Sequence, residues 1–198
     1  MKEQTFVKIR KTLAISLAVC FLILLTAAAA SAVKIVVYQD INFGGEHFDS
    51  TSNTAYVGDH WNDRISSIKV KSGYWRFYQD INYGGNYWDL GPGDYPWVED
   101  VGIPNDIISS YKKINKPKVI LYEHINYGGG RLFVDSNKKY IGDQWNDKIS
   151  SIQIKSGKWR FYEDANYGGR HWDLGPGDYL RVEDAGIPND IISSYKKI

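Results

Sequence analysis

The sequence predicts an all-β protein built from two tandem domains. Three observations favour this class: aromatic residues make up 15% of the 198 residues, glycine occurs 19 times, and short apolar runs alternate with clusters of Gly, Asn, Asp and Pro. Aromatic and β-branched residues suit pleated strands, and the Gly-rich and Asn-rich clusters suit tight turns. A chain of this length holds one large domain or two domains of roughly 80 to 100 residues.

The first 32 residues differ in character from the rest of the chain. Four basic residues among positions 1–11 precede a long apolar run that ends in small residues near Ala30 and Ala32. This order is typical of a secretory signal peptide. We therefore expect residues 1–32 to be removed and the protein to be secreted. The alternative is an uncleaved N-terminal anchor on the outer face of a membrane, since the apolar run is long enough for one.

The charge balance argues against polyanionic partners. Without residues 1–32 the chain keeps 20 basic and 22 acidic residues, and it loses Cys20, its sole cysteine. A nearly neutral chain gives no electrostatic reason to expect nucleic acid or an anionic membrane as a partner. Because no disulfide can form, we expect packing or bound ions to hold the exported protein together.

A repeat with an offset of 84 residues organises the remainder. Residues 73–114 match residues 157–198 at 34 of 42 positions, and residues 35–72 match residues 119–156 at 19 of 38 positions. We therefore predict one domain at residues 33–114 and a second at residues 118–198, joined by the segment "NKPK". Pro117 supports a linker there because proline cannot continue a central strand.

A fainter repeat divides each domain into two units. Each unit contains the signature Tyr-x-x-x-x-[Phe/Tyr]-Gly-Gly, first seen as "YQDINFGG" at 38–45, and has the length of a four-stranded Greek key. Two keys per domain predict an eight-stranded β-sandwich. We expect the two aromatic residues of each signature to pack together across a hairpin. The second glycine should then have a positive φ or form a bulge, at Gly45, Gly85, Gly129 and Gly169.

Each unit also contains the hexapeptide Asn-Asp-x-x-Ser-Ser. The four copies, numbered here as hexapeptides 1 to 4, occupy residues 62–67, 105–110, 146–151 and 189–194. Each offers a carboxylate, a hydroxyl and turn carbonyls, which suit Ca²⁺, and no nitrogen or thiolate that would favour zinc. One hexapeptide has too few oxygens for the six to eight ligands of Ca²⁺, so a second contributor is required.

The four signatures and four hexapeptides cover nearly all of residues 33–198, and together they resemble two tandem βγ-crystallin domains. Each domain is similar to single-domain archaeal members of that family. In the family the hexapeptide pattern binds calcium, and two copies in one domain exchange ligands to build two sites. The resemblance therefore implies about four Ca²⁺ ions, two per domain. With one carboxylate per site, the dissociation constants should be on the order of 10⁻⁶ to 10⁻⁴ M.

The resemblance also implies the ligands of each site. In the first domain they form two sets, the first comprising the Asp63 side chain, the Ile107 carbonyl, the Ser109 hydroxyl and the Gln39 carbonyl, and the second comprising Asp106, the Arg64 carbonyl, Ser66 and the Gln79 carbonyl. In the second domain the sets are Asp147, the Ile191 carbonyl, Ser193 and the Glu123 carbonyl, then Asp190, the Lys148 carbonyl, Ser150 and the Glu163 carbonyl. Four asparagines should brace the turns through side-chain hydrogen bonds: Asn62, Asn105, Asn146 and Asn189.

Two other classes of function are weaker alternatives. Catalysis needs an asymmetric set of acid, base and nucleophile, whereas most carboxylates here recur in equivalent repeat positions, so we expect no enzymatic activity and no small-molecule substrate. A carbohydrate-binding or surface-binding module could use exposed aromatic faces. Trp75 with Trp159 and Trp88 with Trp172 are repeat pairs typical of packed positions, while Trp97, replaced by Arg181, is the better candidate for exposure. Any self-association or cell-surface partner is left open.

Overall fold

The computed structural model describes residues 34–198 of the protein, and the predicted signal peptide or anchor lies outside these residues. The described residues form the strands β1 Ile35–Tyr38, β2 His47–Ser50, β3 Ser67–Val70, β4 Tyr74–Asp80, β5 Gly84–Leu90, β6 Gly93–Tyr95, β7 Ser110–Ile114, β8 Val119–Tyr122, β9 Arg131–Val134, β10 Ser151–Ile154, β11 Trp159–Asp164, β12 Gly168–Leu174, β13 Gly177–Tyr179 and β14 Ser194–Lys197. Short 3₁₀ turns lie at Ile41–Phe43, Ile81–Tyr83, Val98–Val101, Ile125–Tyr127, Ala165–Tyr167 and Val182–Ala185.

The strands build two similar domains of two antiparallel sheets each. In the first domain the sheet orders are β2-β1-β3-β6 and β5-β4-β7, and in the second they are β13-β10-β8-β9 and β12-β11-β14. Each domain therefore pairs a four-stranded sheet with a three-stranded sheet. The predicted all-β architecture of two Greek-key sandwiches is confirmed.

The two keys of each domain interlock by exchanging strands. Strand β6 belongs to the second key but pairs with β3 of the first, with Ile68 opposite Tyr95. In the reverse direction, Thr54 of the first key forms an isolated β-bridge with Tyr111 in β7 of the second key. This bridge stands where the eighth strand was expected, and Lys138 with Tyr195 repeats it in the second domain. The polar segment "TSNTAY" lacks the apolar run that a longer strand would bury.

The repeated signature forms a folded hairpin, as predicted. The ring centroids of Tyr38 and Phe43 lie 5.4 Å apart, and those of Tyr122 and Tyr127 lie 5.1 Å apart. The second glycine of each signature has a φ between 68° and 70°. A Cβ on Gly85 would lie 2.6 Å from Asp80 Oδ2, so the hairpin excludes larger residues there.

Each domain has its own hydrophobic core between its two sheets. Trp75 and Phe77 are fully buried in the first core, and their repeat partners Trp159 and Phe161 are fully buried in the second. Residues 33–198 form one compact unit. Residues 33–198 therefore contain both hydrophobic cores. No helix among the described residues has the length and apolar character needed to cross a membrane.

The domains contact each other beside a buried ion pair of the first domain. The Arg76 guanidinium donates two hydrogen bonds to Asp89, at 2.7 and 2.8 Å, and the Asp89 side chain has no solvent exposure. Asp89 Oδ2 also accepts a hydrogen bond from the backbone N–H of Phe133 in β9, at 2.8 Å. Gln144 adds two hydrogen bonds to the backbone of Tyr87. The three-stranded sheet of the first domain thus packs against β9 of the second.

Candidate metal centre

The aspartate of each hexapeptide has a backbone conformation that is unusual for a residue with a side chain. The φ angles are 56° at Asp63, 52° at Asp106, 56° at Asp147 and 53° at Asp190. Asp and Asn tolerate this left-handed region better than most residues. All four aspartates are exposed at the surface. The tight turn therefore presents a carboxylate outward at four equivalent places.

The first serine of each hexapeptide lies next to the aspartate of the other hexapeptide in the same domain. Ser66 Oγ donates a hydrogen bond to Asp106 Oδ1 at 3.0 Å, and Ser150 Oγ is 3.2 Å from Asp190 Oδ1. Ser193 Oγ is 3.4 Å from Asp147 Oδ1. Ser109 lines the same cavity as Asp63. The structure thus brings together the aspartates and serines that the sequence analysis grouped.

The hairpin carbonyls are grouped differently from the sequence-based expectation. Ser150 Oγ donates a hydrogen bond of 2.8 Å to the Glu123 carbonyl, and both residues line one cavity with Lys148 and Asp190. The ligand sets implied by the resemblance place the Glu163 carbonyl there. In the first domain, Gln79 rather than Gln39 lines a cavity with Asp63 and Ser109. The expected assignment of these carbonyls is therefore wrong.

Strand pairing explains the correction. The N–H of Ser109 donates to the Tyr78 carbonyl at 3.0 Å, and the N–H of Ser66 donates to the Tyr38 carbonyl at 3.1 Å. The same bond joins Ser193 to Tyr162 at 3.0 Å. Each first serine therefore lies beside the hairpin of its own unit. The candidate sets become Asp63, Ile107, Ser109 and Gln79; Asp106, Arg64, Ser66 and Gln39; Asp147, Ile191, Ser193 and Glu163; and Asp190, Lys148, Ser150 and Glu123.

The second serine of each hexapeptide has a structural contact that the sequence analysis missed. Ser67 Oγ donates to the Asp40 carbonyl at 2.6 Å and accepts from the Phe43 N–H at 3.0 Å. The three equivalent serines, Ser110, Ser151 and Ser194, make the same two bonds in their own hairpins. All four are fully buried. These hydroxyls hold the hairpin turn closed beside the candidate site.

The asparagine that begins each hexapeptide contacts the neighbouring aspartate, as predicted, in three of the four copies. Asn62 Nδ2 donates to Asp63 Oδ2 at 2.7 Å, and Asn146 and Asn189 make the equivalent bond. Asn105 instead donates its backbone N–H to Glu99 at 3.3 Å. The Oδ1 atoms of Asn62, Asn105 and Asn146 are buried without a hydrogen-bond partner among the described residues. Unpartnered buried oxygens are rare, and these three are suited to bind a cation or a water molecule of its hydration shell.

The donor chemistry fits a hard cation. An open cavity of about 920 Å³ is lined in the first domain by Asp63, Asp106, Ser109 and Gln79, and one of about 480 Å³ is lined in the second by Asp190, Ser150 and Glu123. Among residues 34–198, no three His, Cys, Asp or Glu side chains converge on one point. Each candidate site therefore depends on hydroxyl and carbonyl oxygens as well as one carboxylate. Carbonyl, hydroxyl and carboxylate oxygens together are a donor set that Ca²⁺ accepts.

Neighbouring charges distinguish the two sites of the second domain. Arg170 donates hydrogen bonds to both carboxylate oxygens of Glu163, at 2.8 and 3.0 Å, and these bonds lower the pKa of the Glu163 carboxyl. The Glu123 carboxylate accepts only one hydrogen bond among the contacts of the described residues, from the backbone N–H of Gly130 at 3.3 Å. The Glu163 carboxylate is thus neutralised by a cation, whereas the Glu123 carboxylate is free of such a partner.

The tryptophans give little support to a carbohydrate-binding face. Trp75, Trp88 and Trp159 are buried, and Trp172 packs against the core of the second domain. Trp97 is 42% exposed, as its loss from the second repeat predicted. A single exposed tryptophan offers one stacking surface for a sugar.

Two Greek-key sandwiches in tandem, each with a pair of interlocked polar loops, define a two-domain β-sandwich protein with candidate cation sites at its loops. The family model described as Beta/Gamma crystallin matches residues 34–114 and 118–198. The chain belongs to the βγ-crystallin family.

Relatives span both domains. Gamma-crystallin-1 of Xenopus laevis is 33% identical over 171 residues, which cover 83% of this chain and 97% of the relative. Gamma-crystallin F of Bos taurus is 32% identical over 168 residues, which cover 83% of this chain and 96% of the relative. Among solved structures, a βγ-crystallin from an archaeon is 60% identical, with 42% of this chain and 100% of that chain covered and a TM-score of 0.41.

Proposed function

We propose that this protein binds about four calcium ions, two per domain, and that the bound ions stabilise the domains. The observation that carries the proposal is the contact between hexapeptides, in which Ser66 Oγ lies 3.0 Å from Asp106 Oδ1 and Ser150 Oγ lies 3.2 Å from Asp190 Oδ1. Each contact sets the hydroxyl of a buried serine beside an exposed carboxylate, with a backbone carbonyl nearby. Oxygen groups held together in this way suit Ca²⁺.

Bound calcium would act as a link between the two keys of a domain. The aspartate of each site comes from one key, and the serine and hairpin carbonyl come from the other. An ion held by both keys binds the folded domain and not the unfolded chain. Its contribution to stability follows mass action and amounts to about 2.7 kcal/mol per site at a hundredfold excess of calcium over the dissociation constant.

The proposal includes export of the protein and no catalytic activity. The N-terminal basic and apolar segment supports export, with an uncleaved anchor on the outer membrane face as the alternative. Repetition of nearly every carboxylate in equivalent places argues against an asymmetric catalytic set. A carbohydrate-binding role is a weaker candidate. Of the five tryptophans that could stack on a sugar (Trp75, Trp88, Trp97, Trp159 and Trp172), Trp97 alone is exposed.

The test is calorimetric titration of calcium into EDTA-treated protein, with thermal melting in calcium and in EDTA. We expect heat from about four sites and a higher melting temperature in calcium. Magnesium at the same concentration is the control, since its smaller ion demands a stricter octahedral geometry and keeps more of its water. A flat calcium titration with an unchanged melting temperature would contradict the proposal.

A further inference from the structure

The exposed apolar side chains of residues 34–198 are concentrated at the four hairpin turns, whose carbonyls belong to the candidate metal sites. Eight large hydrophobic side chains are exposed among these residues, and seven of them lie in the hairpin turns or in segments bonded to those turns. The exception is Ile198 at the C-terminus. Isolated exposed apolar residues are common on protein surfaces, but their collection at one kind of place indicates an interaction surface.

Backbone hydrogen bonds join each turn to a second segment that carries an exposed apolar residue. The N–H of Asn42 donates to the Pro96 carbonyl at 2.7 Å, which sets exposed Ile41 near exposed Trp97. The N–H of Asn82 donates to the Ala55 carbonyl at 2.7 Å, which sets Ile81 near Tyr56.

The second domain repeats the arrangement. The N–H of Asn126 bonds the Leu180 carbonyl at 2.9 Å and sets Ile125 near Leu180. The N–H of Asn166 bonds the Lys139 carbonyl at 2.6 Å and sets Ala165 near Tyr140. Each of the four hairpin turns is therefore bonded to a second segment that carries an exposed apolar residue, and the apolar side chain of the turn is smallest at Ala165.

In the first domain the apolar residues and the carboxylates share one end of the sandwich. Tyr56 and Ile81 line the same open cavity as Asp63 and Asp106. Large apolar groups at the rim and oxygen ligands at the centre would meet a single flat partner together. In the second domain Ile125 likewise lines the cavity of Asp190.

Charge and coordination indicate what that partner is. Each candidate site supplies four protein oxygens of the six to eight that Ca²⁺ takes, which leaves positions for oxygens of a partner. Without calcium, residues 33–198 have 20 basic and 22 acidic residues and no attraction to an anionic surface. Four divalent ions would reverse the net charge to positive. An anionic phospholipid bilayer offers both phosphate oxygens for the ion and an apolar interior for side chains such as Ile and Trp.

We propose that the calcium-loaded loops bind the surface of anionic phospholipid membranes, with the paired apolar side chains entering the interface. The inference rests on the proposed calcium function, because the ions supply the positive charge. Trp97 and Tyr56 are suited to this position since amphipathic aromatic rings prefer the headgroup region. The protein would thus attach reversibly to a membrane surface when calcium is present.

The test measures co-sedimentation of residues 33–198 with vesicles of phosphatidylcholine alone and of phosphatidylcholine with phosphatidylserine, each in calcium and in EDTA. We expect binding to the phosphatidylserine vesicles in calcium alone. The variant Ile41→Ser with Trp97→Ser should bind these vesicles about tenfold more weakly, which corresponds to about 1.4 kcal/mol. Ile198→Ser is the matched control, because it removes an exposed apolar side chain away from the sites, and it should bind like the wild type.

Calorimetry on the same samples separates this inference from the proposed function. Calcium binding without vesicle binding would overturn the membrane inference and leave the calcium proposal standing, and a flat calcium titration would overturn both. Vesicle binding that persists in EDTA, or that is unchanged in the Ile41 and Trp97 variant, would overturn the inference. Full competition by inorganic phosphate would indicate a soluble anion as the ligand, and calcium-dependent sedimentation without vesicles would indicate self-association.

Discussion

The two serines that end each hexapeptide differ in what their hydroxyls contact. Both serines are buried, but Ser66 bonds the exposed carboxylate of Asp106, whereas Ser67 bonds the backbone of its own hairpin turn. One side chain thus belongs to the candidate ion site and the next belongs to the fold. Ser67 begins β3 and Ser66 ends the loop before it, which explains why neighbours can divide these roles.

Substitution should separate the two roles. In EDTA, Ser67→Ala should lower the free energy of unfolding by about 1 to 3 kcal/mol, because a buried backbone carbonyl and N–H lose their partner. Ser66→Ala should have a smaller effect in EDTA and a larger effect on calcium affinity. Urea denaturation of both variants, with and without calcium, measures the difference. Equal losses in EDTA would contradict this division.

Residue chemistry made part of the site predictable. The carboxylate and a hydroxyl of each hexapeptide follow from oxygen chemistry and from the fourfold repeat. The choice of the first serine and the bracing role of the asparagine came from the resemblance to the family. The structural role of Ser67 was missed because its partners are backbone atoms of the hairpin, which have no sequence identity. Its recurrence in all four copies without an assigned ligand role was the available signal.

At the scale of elements, the hairpin turn determines which carbonyl reaches which site. Strand β4 pairs with β7, with Tyr78 opposite Ser110, so the Gln79 carbonyl lies beside the serines of its own key. The sequence could not distinguish Gln39 from Gln79 for this position, because the two hairpins have nearly the same sequence. The strand exchange between keys was equally hidden, since β6 and the Thr54 bridge depend on long-range pairing.

The hairpin glycine offers a test at this scale. Gly85→Ala combines a φ of 69° with a Cβ placed 2.6 Å from Asp80 Oδ2. We expect a loss of about 1 to 3 kcal/mol in unfolding free energy, since alanine is strained at that φ and must displace the carboxylate. Gly58→Ala is the matched control, because its φ of 90° is also positive but its Cβ would meet nothing within 4 Å. Chemical denaturation should show the larger loss for Gly85→Ala, and equal losses would contradict the proposed clash.

At the scale of the whole molecule, two nearly identical halves have different surroundings. Arg76 with Asp89 and Arg160 with Asp173 are repeat copies, yet Asp89 is fully buried and accepts the Phe133 N–H from the second domain. The Arg160 and Asp173 pair is at the surface, with bonds of 2.5 and 2.7 Å. Burial raises the pKa of the Asp89 carboxyl, and the Arg76 guanidinium opposes this effect by favouring the charged form.

The interface explains why the halves are not interchangeable. The residue that corresponds to Phe133 in the first domain is Asp49, which cannot make the contact of the Phe133 ring with the Tyr74 ring, whose centroids lie 5.5 Å apart. The sequence indicated the repeat but not this contact, because identical pairs become unequal only when one of them meets a neighbour.

Asp89→Ala should destabilise the protein far more than Asp173→Ala. We expect a loss of about 3 kcal/mol for Asp89→Ala, because the change leaves the Arg76 guanidinium without its partner in a buried contact between the domains. Asp173→Ala, at the surface pair, should lower the free energy of unfolding by no more than about 1 kcal/mol. Urea denaturation followed by tryptophan fluorescence measures both, and the Asp89 variant should also unfold in two steps as the domains uncouple. Equal losses in the two variants would contradict a structural role for the interface.

The central claim is that each calcium ion is held by an aspartate from one hexapeptide and a serine from the other. Calorimetric titration of calcium into two double variants of residues 33–198 tests it most directly. The variant Asp63→Ala with Ser109→Ala alters one proposed site, so about three of four sites should remain, whereas Asp63→Ala with Ser66→Ala alters two and should leave about two. An equal number of sites in the two variants, or two lost in the first and one in the second, would contradict the exchange of ligands between hexapeptides.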